Sequence, residues 1–282
     1  RPQNGKLFEN GSLLDDLISY VYSGRNCKLI LIGDTAQLPP VKLKLSPALE
    51  ETRLEVEYSK MVHQIELDEV TRQHQNSGIL ANATLLRTLI ENNSIYFEFD
   101  LNFPDIIRLE DGYDIEDAIT GSYDNDGVED TAIIVRSNKR ANQYNQQIRS
   151  QIRGQENEIS PGDYVMVVKN NYFWLKESSE AGFIANGDTC EVLRIHAIKE
   201  LYGFKFAEVD IRMIDYPDQK PFETVLLLDT LTSETPSLTY EESNKLYEAV
   251  REDYAHEKSK YKQLLAVKKN VFFNALQVKF SY

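Results

Sequence analysis

The sequence predicts an α/β chain: parallel-sheet strands alternating with helices, a small antiparallel barrel inserted among them, and a long helix after the barrel. Three observations predict it. Two short apolar runs, residues 29–32 and 132–135, each stand next to a helical pattern, the alternation that builds parallel sheets. After Pro161 the pattern changes to short β runs divided by turn signals. Beyond them Tyr240, Tyr247, Tyr254 and Tyr261 recur every seven residues through one long helical stretch.

Taken in order, "SLLDDLISYVYSG" (12–24) sets Leu13, Leu14, Leu17, Ile18 and Val21 at helical spacing between a Ser12 cap and a Gly24 stop. Residues 28–32 then read as a fully buried strand ending at Gly33. The carboxyl end of such a strand opens on the crevice where α/β sheets bind ligands, and this places Asp34 and Gln37 there. Pro39 and Pro40 stiffen the loop that carries them. Residues 45–63 form a connector with helical pieces from Pro47, residues 64–67 a short strand, and residues 77–93 an amphipathic helix. A second buried strand covers 131–137, with a helix behind it over 138–152. The barrel strands are 162–168, 187–195, 205–214 and 223–231, with Asn186-Gly187 as a hairpin signal. The helix over 237–269 packs its tyrosine stripe on its own domain.

A chain of 282 residues with 41% hydrophobic content is long enough for two or three domains. Its formal charge of −14 argues at first against nucleic acid. The distribution of that charge argues the other way. Residues 98–130 hold twelve acids against one base, Arg108, and so supply all but −3 of the total. Residues 131–153 hold Arg136, Lys139, Arg140, Arg149 and Arg153 and no acid. The acidic stretch reads as a solvated, partly disordered loop, with a basic protein partner as its functional alternative. Two cysteines make neither a disulfide framework nor a metal cluster, and there is no signal peptide or membrane-length apolar run. A reducing, cytoplasmic setting away from membranes is expected. The opening "RPQNGK" without Met and the ending "VKFSY" give the expectation of a fragment.

Gly33-Asp34-Thr35-Ala36-Gln37-Leu38-Pro39-Pro40-Val41 resembles motif III of superfamily 1 helicases, G-D-x-x-Q-L-P-P. A Gln amide both donates and accepts, so it suits a γ-phosphate oxygen or the attacking water. By this resemblance Gly33 and Gln37 face the nucleotide, and Asp34 begins the loop that couples hydrolysis to the nucleic-acid track. "IELDEVTRQHQNSGILANATLLR" (65–87) is similar to motif IV of the RecD-like group. That match makes Arg72 an arginine finger on the γ-phosphate, with Gln73 supporting it. Read alone, Arg72 is a surface ion-pair residue, with Asp68 or Glu69 in reach. "AIIVRSNKRANQYNQQIR" (132–149) resembles the family's strand and helix that touch nucleic-acid backbone. Asn138, Lys139, Arg140 and Asn142 then lie at a helix N-terminus, which favours phosphate; a solvated basic face is the equal alternative. "PGDYVMVVKNNYFW" and "GFIANGDTCEVLRI" resemble the SH3-like domain, called 2B, inserted in the second RecA-like domain, with Cys190 where the family keeps Gly. Lys169, Asn170, Asn171, Tyr172, Phe173 and Trp174 are the barrel's candidate DNA contacts, though such aromatics more often complete a small barrel's core.

The resemblance thus implies parts of RecA-like, P-loop NTPase domains. It assigns 1–46 to the end of the first, 47–159 to the second, 160–236 to the barrel, 237–270 to the long helix, and 271–282 to a return into the second. It implies ATP and Mg²⁺ as cofactors of the parent, single-stranded DNA or a duplex junction as partner, and translocation coupled to unwinding, similar to the exodeoxyribonuclease V alpha subunit. No phosphate loop, no upstream Asp-Glu strand end and no motif V or VI occurs in the sequence, so this chain alone is expected not to hydrolyse ATP. A superfamily 1 RNA helicase shares the motif III block but has Gln-Tyr-Arg-Met where "EVTRQ" stands here. A helicase-derived module that binds DNA or protein without turnover is the alternative from another class.

Overall fold

The structure, a computed structural model, describes residues 12–40, 43–67, 77–176 and 179–282. It divides into two compact units, Arg1–Leu109 and Glu110–Tyr282. Helices mark the first and a five-stranded barrel the second.

In the first unit, α1 (Leu13–Ser23) begins where Ser12 accepts the Asp15 amide and ends at Gly24, as the sequence predicts. A 3₁₀ turn (Pro47–Leu49) leads into α2 (Glu51–Tyr58), whose Tyr58 hydroxyl is hydrogen-bonded to Asp15 of α1. Helix α3 (Gly78–Glu91) is capped twice: Ser77 accepts the Leu80 amide, and Asp105 accepts from the Ser77 hydroxyl and the Gly78 amide at 2.9 Å. Buried Asn82 bonds the Asp100 backbone through both ends of its amide, strapping residues 100–106 along the helix. The strap lies so close that a Cβ on Gly78 would stand 2.5 Å from Ile106. Ile18 and Leu54 are the only apolar side chains fully buried among the described residues of this unit.

The predicted buried strands are a correction. Residues 28–32 and 64–67, and 131–135 in the second unit, lie in no helix or strand and pair with nothing among the described residues. Leu29 and Leu31 are partly covered whereas Ile30 and Ile32 are 81% and 92% exposed, and Ile134 is 95% exposed. The period-two alternation of a strand is present without the hydrogen-bonded neighbours that make one. No parallel sheet of the RecA-like kind forms among the described residues.

In the second unit, the acidic stretch contains α4 (Gly112–Asn125), started by Asp111 accepting the Tyr113 and Asp114 amides. This corrects the reading of the stretch as a solvated, partly disordered loop over residues 112–125, where Asp111 caps a helix. Helix α5 (Asn138–Gln147) follows its Ser137 cap and widens into a π turn (Ile148–Ile152). The barrel then closes in the order β1 (Tyr164–Val167), β2 (Thr189–Leu201), β3 (Phe204–Met213), β4 (Phe222–Leu227), β5 (Leu276–Phe280). Four seams are antiparallel and one, β4 with β5, is parallel. Residues 276–280 are therefore a barrel strand, not a return to another domain. The predicted long helix is two, α6 (Tyr240–Glu252) and α7 (Lys260–Lys269), because Ser259 caps a new start. They form the crossover that a parallel pair requires. Asn186-Gly187 makes a turn with Gly187 at φ +106°, whereas the tight hairpin is Tyr202-Gly203, at φ +59° and +74° between β2 and β3.

Two apolar clusters explain the burial. Val165, Val167, Cys190, Val192, Val209 and Ile211 fill the barrel. Phe204, Phe206, Val225 and Leu227 face outward and are covered by Leu246, Val250 and Val267 of α6 and α7. Sequence and sheet geometry agree here, since the second half of β4, Val225 to Leu227, is continuously apolar and buried on both faces. Behind the barrel, Arg149 forks onto Asp163 with both bonds at 2.9 Å, and each residue is almost wholly buried. The Ser160 hydroxyl and amide, the Gln155 carbonyl and the Tyr282 hydroxyl complete the network, with the guanidinium over the Phe280 ring.

Removing one partner of a hydrogen-bonded buried pair strands the other, so Arg149→Ala is expected to cost about 3–5 kcal/mol in urea unfolding of the barrel unit. Alkaline pH has a separate effect. Burial pushes the Cys190 thiol up to about 12, and burial with the Asp253 hydrogen bond pushes Tyr202 up to about 12. The stability these two contribute is fully present below their unfolded values and is lost as pH rises through about 12. Lys279 works oppositely: burial lowers its pKa, and that cost is relieved as pH approaches 10.5. The melting temperature is expected to be flat from about pH 7 to 9 and to fall above that. Calorimetry of Cys190→Ala should show a shallower fall.

Candidate functional site

The loop after residues 28–32 is built around one carboxylate. Asp34 accepts the Ala36 amide at 2.8 Å, and its carbonyl accepts the Gln37 amide at 3.3 Å, closing a turn. Arg87, on α3, grips the same carboxylate with Nη1 and Nη2 at 3.2 and 3.0 Å. The Ala36 hydrogen bond first, and Arg87 second, hold the Asp34 pKa below its ordinary value, and the same pair raises that of Arg87. Gly33 permits the approach, since a Cβ there would stand 2.8 Å from a Leu49 methyl. The Gln37 side chain is left exposed beside Leu38. Asp34 is thus committed to the loop, and Gln37 is the group presented.

Arg72 and Gln73 lie outside the described residues. Gly33, Asp34 and Gln37 belong to the first unit, and the α5 and barrel candidates to the second.

At the start of α5, Asn138, Lys139 and Arg140 are exposed, with Lys139 3.5 Å from Glu234. Asn142 is different: it is buried and its amide donates to the Thr232 and Ser233 carbonyls. A cavity of about 230 Å³ adjoins this end of the helix, lined in part by Asn138, Asn145, Met166, Lys279 and Tyr282. The Lys279 ammonium is spent on the Thr230 and Ser233 carbonyls.

The barrel loop divides similarly. Lys169 is exposed. Asn171 pairs with Ile184 through its backbone and donates its amide to the Asn274 carbonyl. Trp174 donates to the same carbonyl at 2.8 Å and packs against both apolar clusters, with Phe173 edge-on to it. The expectation that these aromatics complete the core holds for Trp174. Tyr172 instead stands exposed, stacked on Phe183 at 4.9 Å.

Sequence reasoning misses Arg87. Its one signal is a cation on the outer face of a helix that follows the motif, and only the fold reveals its acid partner, 53 residues distant. Of the acidic stretch, Asp100, Asp105 and Asp111 are spent on backbone amides and Glu129 accepts from Tyr164. Glu116, Asp117 and Asp124 are in no ion pair among the described residues.

Gln37 fits a phosphate oxygen or a water. For a metal ion, no group of three His, Cys, Asp or Glu side chains suited to holding one occurs among the described residues. No helix among them is long and apolar enough to cross a membrane. Neither the family models nor the curated proteins compared with the chain match it.

Asp34→Ala is expected to speed hydrogen exchange of the Ala36 amide, and Arg87→Ala to do so less. A pair this exposed fixes geometry more than it adds stability, so the melting temperature should barely move. Because the Asp34 pKa is lowered, its contribution holds above pH 3.8 and disappears as pH falls through the lower folded value. Exchange at Ala36 is then expected to lose protection only under strong acid.

Proposed function

We propose that this chain is part of an ATP-dependent DNA helicase of the superfamily 1, RecD-like kind. The observation that carries the reading is the run of residues 33–41, in which Asp34 is held by Arg87 and Gln37 is presented to solvent. A γ-phosphate sensor needs an amide on a loop that does not wander, and that arrangement supplies one. The five-stranded barrel following Pro161 supports the reading, since it is compatible with the SH3-like insertion.

In this reading bound ATP supplies the γ-phosphate whose presence or loss is sensed. Gln37 takes the hydrogen bond to it or to the attacking water. Arg87 keeps the loop in register by holding Asp34, and Arg72 brings positive charge to the transferring group. Lys139 and Arg140 at the start of α5, with Lys169 on the barrel, hold the backbone of single-stranded DNA.

The test is ATP hydrolysis by the full-length product, with and without single-stranded DNA. DNA-stimulated turnover is expected, and Arg72→Ala should lower kcat by about 10³-fold or more while oligonucleotide binding is kept. Binding of DNA with no turnover in the unaltered protein would overturn the motor reading in favour of a non-enzymatic module.

A further inference from the structure

The crossover between β4 and β5 carries a charge pattern that the helicase reading does not use. Lys258, Lys260, Lys262, Lys268 and Lys269 lie on or beside α7, are exposed, and stand with Glu257 as the one acid of residues 256–270. None of them is in an ion pair among the described residues. Some cations elsewhere in this unit find acids, Lys199 with Glu208, Lys205 with Glu158, Arg212 with Glu191 and Arg251 with Glu248. Others, such as Arg140, Lys169 and Lys220, do not among the described residues; what sets the α7 lysines apart is that five of them stand together. In a chain with 45 acids and 31 bases, five lysines together without a carboxylate need an explanation.

Helix stability does not give one. Lys268 and Lys269 in the last turn suit the negative end of the helix, but Lys260 and Lys262 occupy the first turn, where positive charge is unfavourable. Packing does not give one either. Val267 turns inward to Phe204 and Phe206, so the lysines are not covering apolar surface on that side. On the outward side Tyr261, Leu265 and Lys268 follow at i, i+4 and i+7, flanked by Lys262 and Lys269. The Tyr261 ring is 70% exposed and contacts no other aromatic ring among the described residues. It corrects the expected tyrosine stripe: Tyr247 and Tyr254 pack inward, whereas Tyr240 and Tyr261 do not.

We propose that this outward face of α7 docks single-stranded nucleic acid, the lysines on its phosphates and Tyr261 stacked on a base. The charge complements a polyanion, and the bare ring among the lysines selects nucleic acid over an acidic peptide, which has no use for a stacking face. The inference stands on this helix alone and does not depend on ATP turnover or on the α5 contacts.

The test is fluorescence anisotropy of labelled oligo(dT) with the full chain across a salt series. Four variants are compared with it: Lys262→Ala/Lys268→Ala/Lys269→Ala, Tyr261→Ala, Tyr261→Phe, and Lys139→Ala/Arg140→Ala. All the substituted side chains are solvent-facing, and circular dichroism with melting checks that each variant folds. The triple variant is expected to reduce the slope of log K against log salt by about 2, at roughly 0.7 per lysine–phosphate contact. Tyr261→Ala should weaken binding about tenfold with the slope unchanged, and Tyr261→Phe should restore it. An unchanged slope in the triple variant, or no oligo(dT) binding at low salt, overturns the proposal. So does binding of polyglutamate in place of oligo(dT), which would make the partner an acidic protein. Loss of binding only in the α5 double variant overturns it while leaving the helicase reading intact.

Discussion

The barrel unit depends on taking one charge pair out of water. Arg149 and Asp163 come from opposite sides of a turn that joins the helical part of the unit to its first strand, and neither has solvent to fall back on. Their burial is tolerable because no nitrogen or oxygen of either side chain is left without a hydrogen-bond partner. Asp163 accepts from the guanidinium, the Ser160 amide and the Tyr282 hydroxyl, while its backbone carbonyl accepts the amide of Val192 of β2. One residue therefore fixes where β1 begins, where the chain's last described residue sits, and how the π turn after α5 meets the barrel. The "GD" before β1 is legible in the sequence as a motif, but its physical use is this network and not a ligand.

The second constraint is topological. A closed barrel with one parallel seam must send the chain from the end of β4 back to the start of β5, and a tight turn cannot do that. The α6–α7 pair makes the journey and in doing so covers the outer face of β3 and β4. The register shifts in β2 between Val192 and Ala197 bend the long β2–β3 hairpin, whose outer residues Phe204 and Phe206 the helices cover. Trp174 joins the inside of the barrel to this outer layer.

What was legible in the sequence was local. Ser12, Ser77, Ser137 and Gly24 delimit their helices because capping is settled within about four residues. Four of the five barrel strands follow from alternation and turn chemistry. The fifth did not: Leu276, Val278 and Phe280 alternate with Gln277 and Lys279, but no turn signal ties this stretch to the barrel, from which two helices separate it. The parallel strands failed for a related reason: an apolar run such as 29–32 is compatible with a strand, but pairing is supplied from elsewhere. The tyrosine heptads misled because seven-residue spacing is indifferent to a break at Asp253–Ser259 that restarts the helix. At the candidate site, Gly33, Asp34 and Gln37 were legible as a motif and Arg87 was not, since an ion pair spanning 53 residues leaves no periodicity.

Asn142 and Asn171 show the same division at the level of single side chains. Both stand in stretches that read as polar and accessible, and both are consumed by backbone carbonyls of segments far along the chain, Asn142 by Thr232 and Ser233, Asn171 by Asn274. A buried carbonyl must be satisfied by something, and an asparagine is the shortest side chain that donates twice without bringing a charge. Lys279 performs the same service at the Thr230 and Ser233 carbonyls and bears the desolvation of its charge for it. The polar residues left over after this internal demand are the ones with something to offer a partner. Among the described residues they include Gln37 on its pinned loop, Asn138 and Arg140 at the start of α5, and the lysines of α7, places where the sequence supplies donors that the fold does not consume.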